Sequence, residues 1–217
     1  MALRRTLLST LAACAAAAAF APLARAQADG YPNRPVKLIV PFAPGGSTDM
    51  VARLLADKLS TVLGKAVVVD NKGGAGGSIG ADAIAKAAPD GYTIGMATVS
   101  THGANPALYA KLPYDAVKDF APITNVMSVP SVFVVHPGVP ARTMQEFVAL
   151  AKAQPGKYTF ASPGTGSLGH ANIENFMHLA GIELLHIPYK GAVQAMTDAL
   201  AGQVNAMTDN LPSTLPN

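Results

Sequence analysis

Two glycine-rich stretches put hydroxyls and pliant backbone at points where strands give way to helices. "PFAPGGSTD" runs from Pro41 to Asp49, and "FASPGTGSLGH" from Phe160 to His170. A helix start leaves backbone N–H groups without intrahelical partners and carries about half a unit of positive charge, so it suits an anion. Gly45, Gly46, Gly164 and Gly166 let the main chain approach a ligand with no Cβ in the way, and Ser47, Thr48, Ser162, Thr165 and Ser167 add short hydroxyl donors. Neither stretch contains Lys or Arg, which a phosphate site commonly adds, so neutral nests of this kind suit carboxylates. The plainer reading is that Ser, Thr and Asp at a helix start are N-caps. Recurrence of the pattern in two separate blocks is what favours a ligand.

Other motifs carry less. "GGSIG", Gly76 to Gly80, matches G-x-S-x-G and raises an exported serine hydrolase with Ser78 as nucleophile. A nucleophile elbow needs the serine directly on a sharp strand-to-helix turn, and here "NKGGA" intervenes. His102, His136, His170, His178 and His186 are available as bases, yet no motif marks one. The same loop read as a dinucleotide site has spacing G-x-G-x-x-x-G, and no acid between Asp90 and Asp115 is placed for a ribose. His170 and His178 are too far apart on one helix for a shared metal, and H-E-x-x-H is absent. Tyr189 and Lys190 in "HIPYKG" read either as cleft lining or as a strand-end aromatic beside a solvated lysine.

The elements that must position these loops follow from periodicity. "VKLIVPF" reads as a strand. In "DMVARLLADKLSTVLG", Val51, Leu54, Leu55, Leu59, Val62 and Leu63 recur at three- and four-residue spacing, predicting an amphipathic helix closed by Gly64. "KAVVVDN" reads as a buried strand, "GGSIGADAIAKAAPDG" as a glycine turn into a helix, and "YTIGMAT" as a third strand. Residues 101–128 show turn signals and little periodicity. After the strand in "VPSVFVVHPGVP" the alternation resumes to the end of the chain, which implies βαβ units in a mainly parallel sheet. Two α/β blocks joined near residues 121–140 fit better than one sheet.

The first residues read differently. Basic "MALRR", the apolar run "TLLSTLAACAAAAAF" and "ARA" ending at Ala26 form a secretory signal. We expect cleavage near Ala26 and a soluble periplasmic chain. "LAAC" at Leu11 to Cys14 offers the alternative of a lipid anchor on Cys14. Of the sixteen Lys and Arg, Arg4, Arg5 and Arg25 fall in the signal, leaving thirteen basic residues against thirteen acidic. No basic stripe remains for nucleic acid. Cys14 is the single cysteine, so no disulfide scaffold is expected.

Taken in order, "YPNRPVKLIVPFAPGGSTDMVARLLADKLS", "VVVDNKGGAGGSIGADAIAKAAPDGYTIGMAT", "NPALYAKLPYD", "FASPGTGSLGH" and "HIPYKGAVQAMTDALAGQV" resemble the Bug family of extracytoplasmic solute receptors. These are the substrate-binding proteins of tripartite tricarboxylate transporters. The resemblance implies an α/β, two-domain periplasmic binding protein of type II-like, Venus-flytrap form, each domain a mainly parallel sheet with flanking helices. It implies residues 1–26 as signal peptide, 27–125 as the first domain and 126–217 as the second. It further implies a small organic carboxylate held in the interdomain cleft, permease subunits as membrane partner, no cofactor, no catalysis and a monomer. Carried over, the first cleft loop is Phe42, Ala43, Pro44, Gly45, Gly46, Ser47, Thr48 and Asp49. The second contributes Ser162, Gly164, Thr165, Gly166, Ser167 and His170. Asp209 in "NAMTDN" either selects ligands bearing an amine or hydroxyl or is a solvated strand-end carboxylate. Family chains run to about twice the usual domain size, so the resemblance also implies a second domain that stops before the chain returns to the first.

Overall fold

The β-branched run Val36–Val40 forms β1, the middle strand of a three-stranded parallel sheet. This computed structural model describes residues 30–216, so the expected export signal, Cys14 and the site near Ala26 lie outside the described residues. Helix α1, Ser47–Leu63, follows β1 and ends at Gly64 in the left-handed conformation. Strand β2, Val67–Asn71, and β3, Thr93–Gly95, flank β1 in register, Leu38 facing Val69 on one side and Ile94 on the other. Between them a tight turn at Ala75–Gly77 leads into α2, Ser78–Ala85. A π-helical turn at Ser100–Ala104 runs into the short α3, Asn105–Leu108. No helix or strand occupies residues 109–130.

The second sheet has the order β4-β7-β5-β6. Its elements are β4 (Ser131–Val135), α4 (Met144–Ala153), β5 (Thr159–Ser162), α5 (Leu168–Ala180), β6 (Leu185–Pro188), α6 (Ala192–Leu200), β7 (Ala206–Asn210) and the short α7 (Leu211–Thr214). β5 runs parallel to β6 and β7, and β4, which enters from the irregular segment, pairs antiparallel with β7. Because side chains alternate across a strand, Phe160 and Ala206 join Phe147, Tyr158, Ile173 and Leu184 on one face. Ala161 and Met207 join Ala195, Met196, Ala199 and Val204 on the other. Val36, Leu38, Val40, Ala52, Ala56 and Val67 build the core of the first sheet. Among the described residues, 34–216 hold together as one compact unit.

Two expectations need correction. The buried stripe of α1 is Ala52 and Ala56, with Leu59 and Leu63 packed beside them, whereas Leu54 and Val62 are exposed. Alanines let the helix lie close on the sheet, so the larger residues flanking them point away. β2 is not a buried strand: beyond Val67 its residues are half-buried or exposed, because β2 is an edge strand. Among the described residues no helix is long and apolar enough to cross a membrane.

Candidate functional site

The first loop is held by a carboxylate from inside the helix it precedes. Asp49, almost fully buried, accepts the Gly45 N–H at 2.9 Å and Arg53 Nε at 2.9 Å on Oδ2, and Asn71 Nδ2 at 2.9 Å on Oδ1. Asn71 also donates to the Phe42 carbonyl at 3.0 Å, tying the loop to the end of β2. Burial by itself raises the Asp49 pKa, but the bonds from Arg53, Gly45 and Asn71 outweigh it and hold the carboxyl below its ordinary value. Gly45 has φ +88°, a conformation that favours glycine. Asp49 is thus a brace for the turn.

What the brace presents is an open helix start. The N-cap of α1 is Gly46, which offers no side-chain bond, and the first helical bond runs from Met50 N–H to the Gly46 carbonyl at 3.0 Å. The N–H groups of Ser47, Thr48 and Asp49 therefore have no intrahelical acceptor. Ser47, buried, accepts Asn210 Nδ2 at 2.7 Å from the end of β7, leaving its own hydroxyl proton free to donate. Pro44 is exposed and Thr48 half-buried at the rim. Ala43 lies under Gly191, where an added Cβ would stand 2.7 Å from the alanine Cβ.

The second loop is satisfied differently. Ser167 is the N-cap of α5 and accepts the His170 N–H at 3.3 Å. Ser162, fully buried at the end of β5, accepts the Gly164 N–H at 3.2 Å and lies 2.7 Å from His186 Nε2. The Gly166 N–H points at His170 Nδ1, 3.4 Å away, while His170 Nε2 meets Glu174 at 3.3 Å. The His170 and His186 rings stack at 4.2 Å, with Phe160 beneath His186 at 4.6 Å. Burial, and secondarily His170, lower the His186 pKa to about 4. Ser162 Oγ also lies 3.3 Å from the Gly164 carbonyl, so its single proton goes either there, with His186 Nε2–H donating to Ser162, or to Nε2 of the neutral ring. The pair resembles a nucleophile and base, but Ser162 is sealed from solvent and no carboxylate bonds His186 in the described network.

Ser78 fits a hydrolase no better. It is buried, its hydroxyl donates to the Ala75 carbonyl and it lies 3.5 Å from Asn105 Nδ2. None of the histidine bonds described here reaches it. Asp209 is buried at the end of β7, accepts from Ser213 and is pushed up by burial against that bond. The solvated reading of Asp209 is therefore excluded. Tyr189 turns its hydroxyl onto Asp198 at 2.6 Å and is pushed up to about 12 by burial and that partner, while Lys190 is exposed. Among the described residues no group of three or more His, Cys, Asp or Glu side chains is placed to hold a metal ion.

Sequence reasoning missed the residues that tie each loop to an element distant in sequence. Ser100 accepts the Leu168 N–H at 2.9 Å, Tyr109 donates to the Thr165 carbonyl at 2.9 Å, and Asn210 reaches Ser47. The Arg53 side of the Asp49 brace is an i, i+4 pair that helical spacing could have flagged. Its Asn71 side is not.

Comparison with known proteins agrees with this architecture. Residues 51–217 match the family described as "Tripartite tricarboxylate transporter family receptor". Protein BugT of Bordetella pertussis is 43% identical over 189 residues, covering 87% of this chain and 58% of BugT. The structure of periplasmic binding protein BugD superposes with TM-score 0.81 at 40% identity, over 86% of this chain and 62% of BugD. The Rhodopseudomonas palustris protein Rpa4515, solved with adipate, gives TM-score 0.82 at 36% identity over 86% of this chain and 62% of its own. The chain thus spans a little under two thirds of the length of these proteins. By that match over most of its length the chain belongs to the tripartite tricarboxylate transporter receptor family, and by its superposition on BugD it has the periplasmic binding protein fold.

Proposed function

We propose that this chain is a periplasmic receptor that captures a small organic carboxylate between its two glycine loops and delivers it to the permease subunits of a tripartite tricarboxylate-type transporter. It acts as a monomer and makes or breaks no bond. The observation that carries the reading is the uncapped start of α1, where the Ser47, Thr48 and Asp49 amides and the spare Ser47 proton converge beside a charge-compensated Asp49. Such a start favours an anion through both its unpaired donors and the helix dipole. In this reading Phe42 to Gly46 line the site on the first loop, and Thr165, Gly166 and His170 are the second loop's contribution to it. Asp209 reads the part of the ligand distant from the carboxylate. The solved relative carrying adipate supports the ligand class.

Residues 27–125 and 126–217 are the two lobes in this reading. The stretch 121–130, which has no regular structure, serves as part of the hinge about which they close. Thermal unfolding of the chain, alone and with mono-, di- and tricarboxylates including adipate, tests the proposal. A ligand at 100 times its Kd adds about 2.7 kcal/mol, several degrees for a chain of this size. A shift confined to one acid class supports the receptor and names that class. A cooperative transition that no acid moves overturns it.

A further inference from the structure

The GAGGS turn, the π-helical turn and Tyr109 are three features that neither the cores nor the ligand loops use. All three converge on the backbone of the second loop. Ser100, buried at the head of the π turn, takes the N–H of Leu168, the first residue of α5, at 2.9 Å. Tyr109, just past α3, donates its hydroxyl to the Thr165 carbonyl at 2.9 Å. The Ala75–Gly77 turn lies so close that a Cβ on Gly76 would stand 2.8 Å from Gly166 C and from the Thr165 carbonyl oxygen. A Cβ on Gly166 would meet the Tyr109 ring at 2.5 Å. These parts are themselves braced. Asn105, fully buried, donates to the Gly76 carbonyl at 3.1 Å, and Tyr114 donates to the Thr101 carbonyl at 2.7 Å.

We propose that Ser100 and Tyr109 are positioning residues that clasp the second loop from the first sheet's side and hold the closed arrangement, touching no ligand themselves. This rests on the receptor reading, since closure around a ligand is what the clasp would serve. Helix α5 receives one of its N-terminal acceptors from residue 100, so separating the halves strands the Leu168 amide and the Tyr109 hydroxyl together. Both contacts are made to main-chain atoms of the second loop, and the glycines at 76 and 166 permit the approach. The clasp therefore adds to closure whatever the ligand. By occupying the Leu168 amide it also steers an anion toward the start of α1.

The test uses spin labels on cysteines replacing exposed Leu54 of α1 and Leu179 of α5, in the whole chain with Cys14→Ala, and compares it with Ser100→Ala/Tyr109→Phe. Distances are measured without ligand and with adipate as probe. The clasp predicts that the double variant gains a longer-distance population without ligand, and that adipate affinity falls by about tenfold. Ser100→Thr, which keeps the hydroxyl, restores the short distance. Should the double variant misfold, Tyr109→Phe alone reads the same distances with its ring intact. Coincident ligand-free distributions overturn the clasp. Failure of adipate to bind either protein counts against the ligand class and leaves the ligand-free distances to decide the clasp.

Discussion

At the start of α1 the N-cap is Gly46, with no side chain to bond the helix, whereas at the start of α5 Ser167 takes the His170 amide and Ser100 takes that of Leu168. The sequences leading into the two helices are alike in glycine and hydroxyl content, but their bonding is opposite. The first loop is shaped by a buried carboxylate that pulls on Gly45 and leaves the first helical amides unfilled. The second is shaped by hydroxyls and a histidine that take the Gly164, Gly166, Leu168 and His170 amides. A glycine turn before a helix is therefore not one device. Its capacity for an anion depends on which side chains have already taken its donors.

The most severe way to break this contrast is to remove the brace. Asp49→Ala removes one buried carboxylate that the Gly45 amide, the Asn71 side chain and Arg53 share as acceptor, at a cost of about 2–3 kcal/mol for the lost charge-assisted bonds. At roughly 2–4 °C per kcal/mol for a chain of this length, the unfolding midpoint falls by about 5–10 °C. Ser167→Ala, removing a cap that only helps one amide, costs about 1 kcal/mol. Equal losses measured by thermal denaturation would show that the first loop has no special brace.

Acid separates the loops in a second way. His186 ordinarily titrates near 6.5 and is lowered to about 4 in the fold, so between those values the unfolded chain binds the extra proton and stability falls as pH falls. Asp49, held below 3.8, contributes stability that is intact above that value and is lost only as pH drops further. Asp209, raised by burial, acts in the opposite sense, its folded form holding a proton from 3.8 upward and so gaining stability as pH falls through that window. His186 stacks on His170, and Glu174 lies beyond His170, so no carboxylate faces His186 directly in the described contacts. Lowering pH from 7 to 4.5 should lower the wild-type midpoint by a few degrees. His186→Gln, which retains a hydrogen-bonding group toward Ser162, should reduce that slope, the remainder including His102, whose pKa burial also lowers, and Asp49→Asn should leave it in place. Parallel pH profiles for wild type and His186→Gln would refute the histidine assignment.

What the sequence could reveal about these loops follows from the distance over which each bond acts. Strand and helix alternation was legible because period two and period three to four are local, and it located all the major elements flanking both loops. The i, i+4 pair Asp49 and Arg53 is equally local, a signal that the periodicity reading passed over. Periodicity alone did not rank Ala52 and Ala56 above Leu54 and Val62, because closeness to a sheet depends on small side chains that hydrophobicity counts undervalue. Asn71 for Asp49, His186 for Ser162, Ser100 for Leu168 and Asn210 for Ser47 are pairings between separate elements. No local pattern encodes them. The π turn lay in a stretch without periodicity, and its use is visible only where it meets the other loop.

The smallest expected effect is the sharpest test of the comparison. Gly46 has φ −76° and ψ 169°, a conformation open to any residue, and an added Cβ would meet Ala192 Cβ at 3.8 Å, an ordinary contact. Gly46→Ser therefore gives α1 the kind of cap that α5 already has, its hydroxyl accepting from the Thr48 or Asp49 amide. Capping by Ser in place of Gly is worth only a few tenths of a kcal/mol, so the midpoint should rise by about 1 °C. If those amides are where the carboxylate binds, the new hydroxyl competes with it, and affinity for a carboxylate found in the thermal panel should fall by about threefold to tenfold. Calorimetric titration reads the second effect and scanning calorimetry the first. A variant that is both more stable and weaker in binding joins the two observations at one set of donors, while one that is more stable with unchanged affinity would move the anion away from the start of α1.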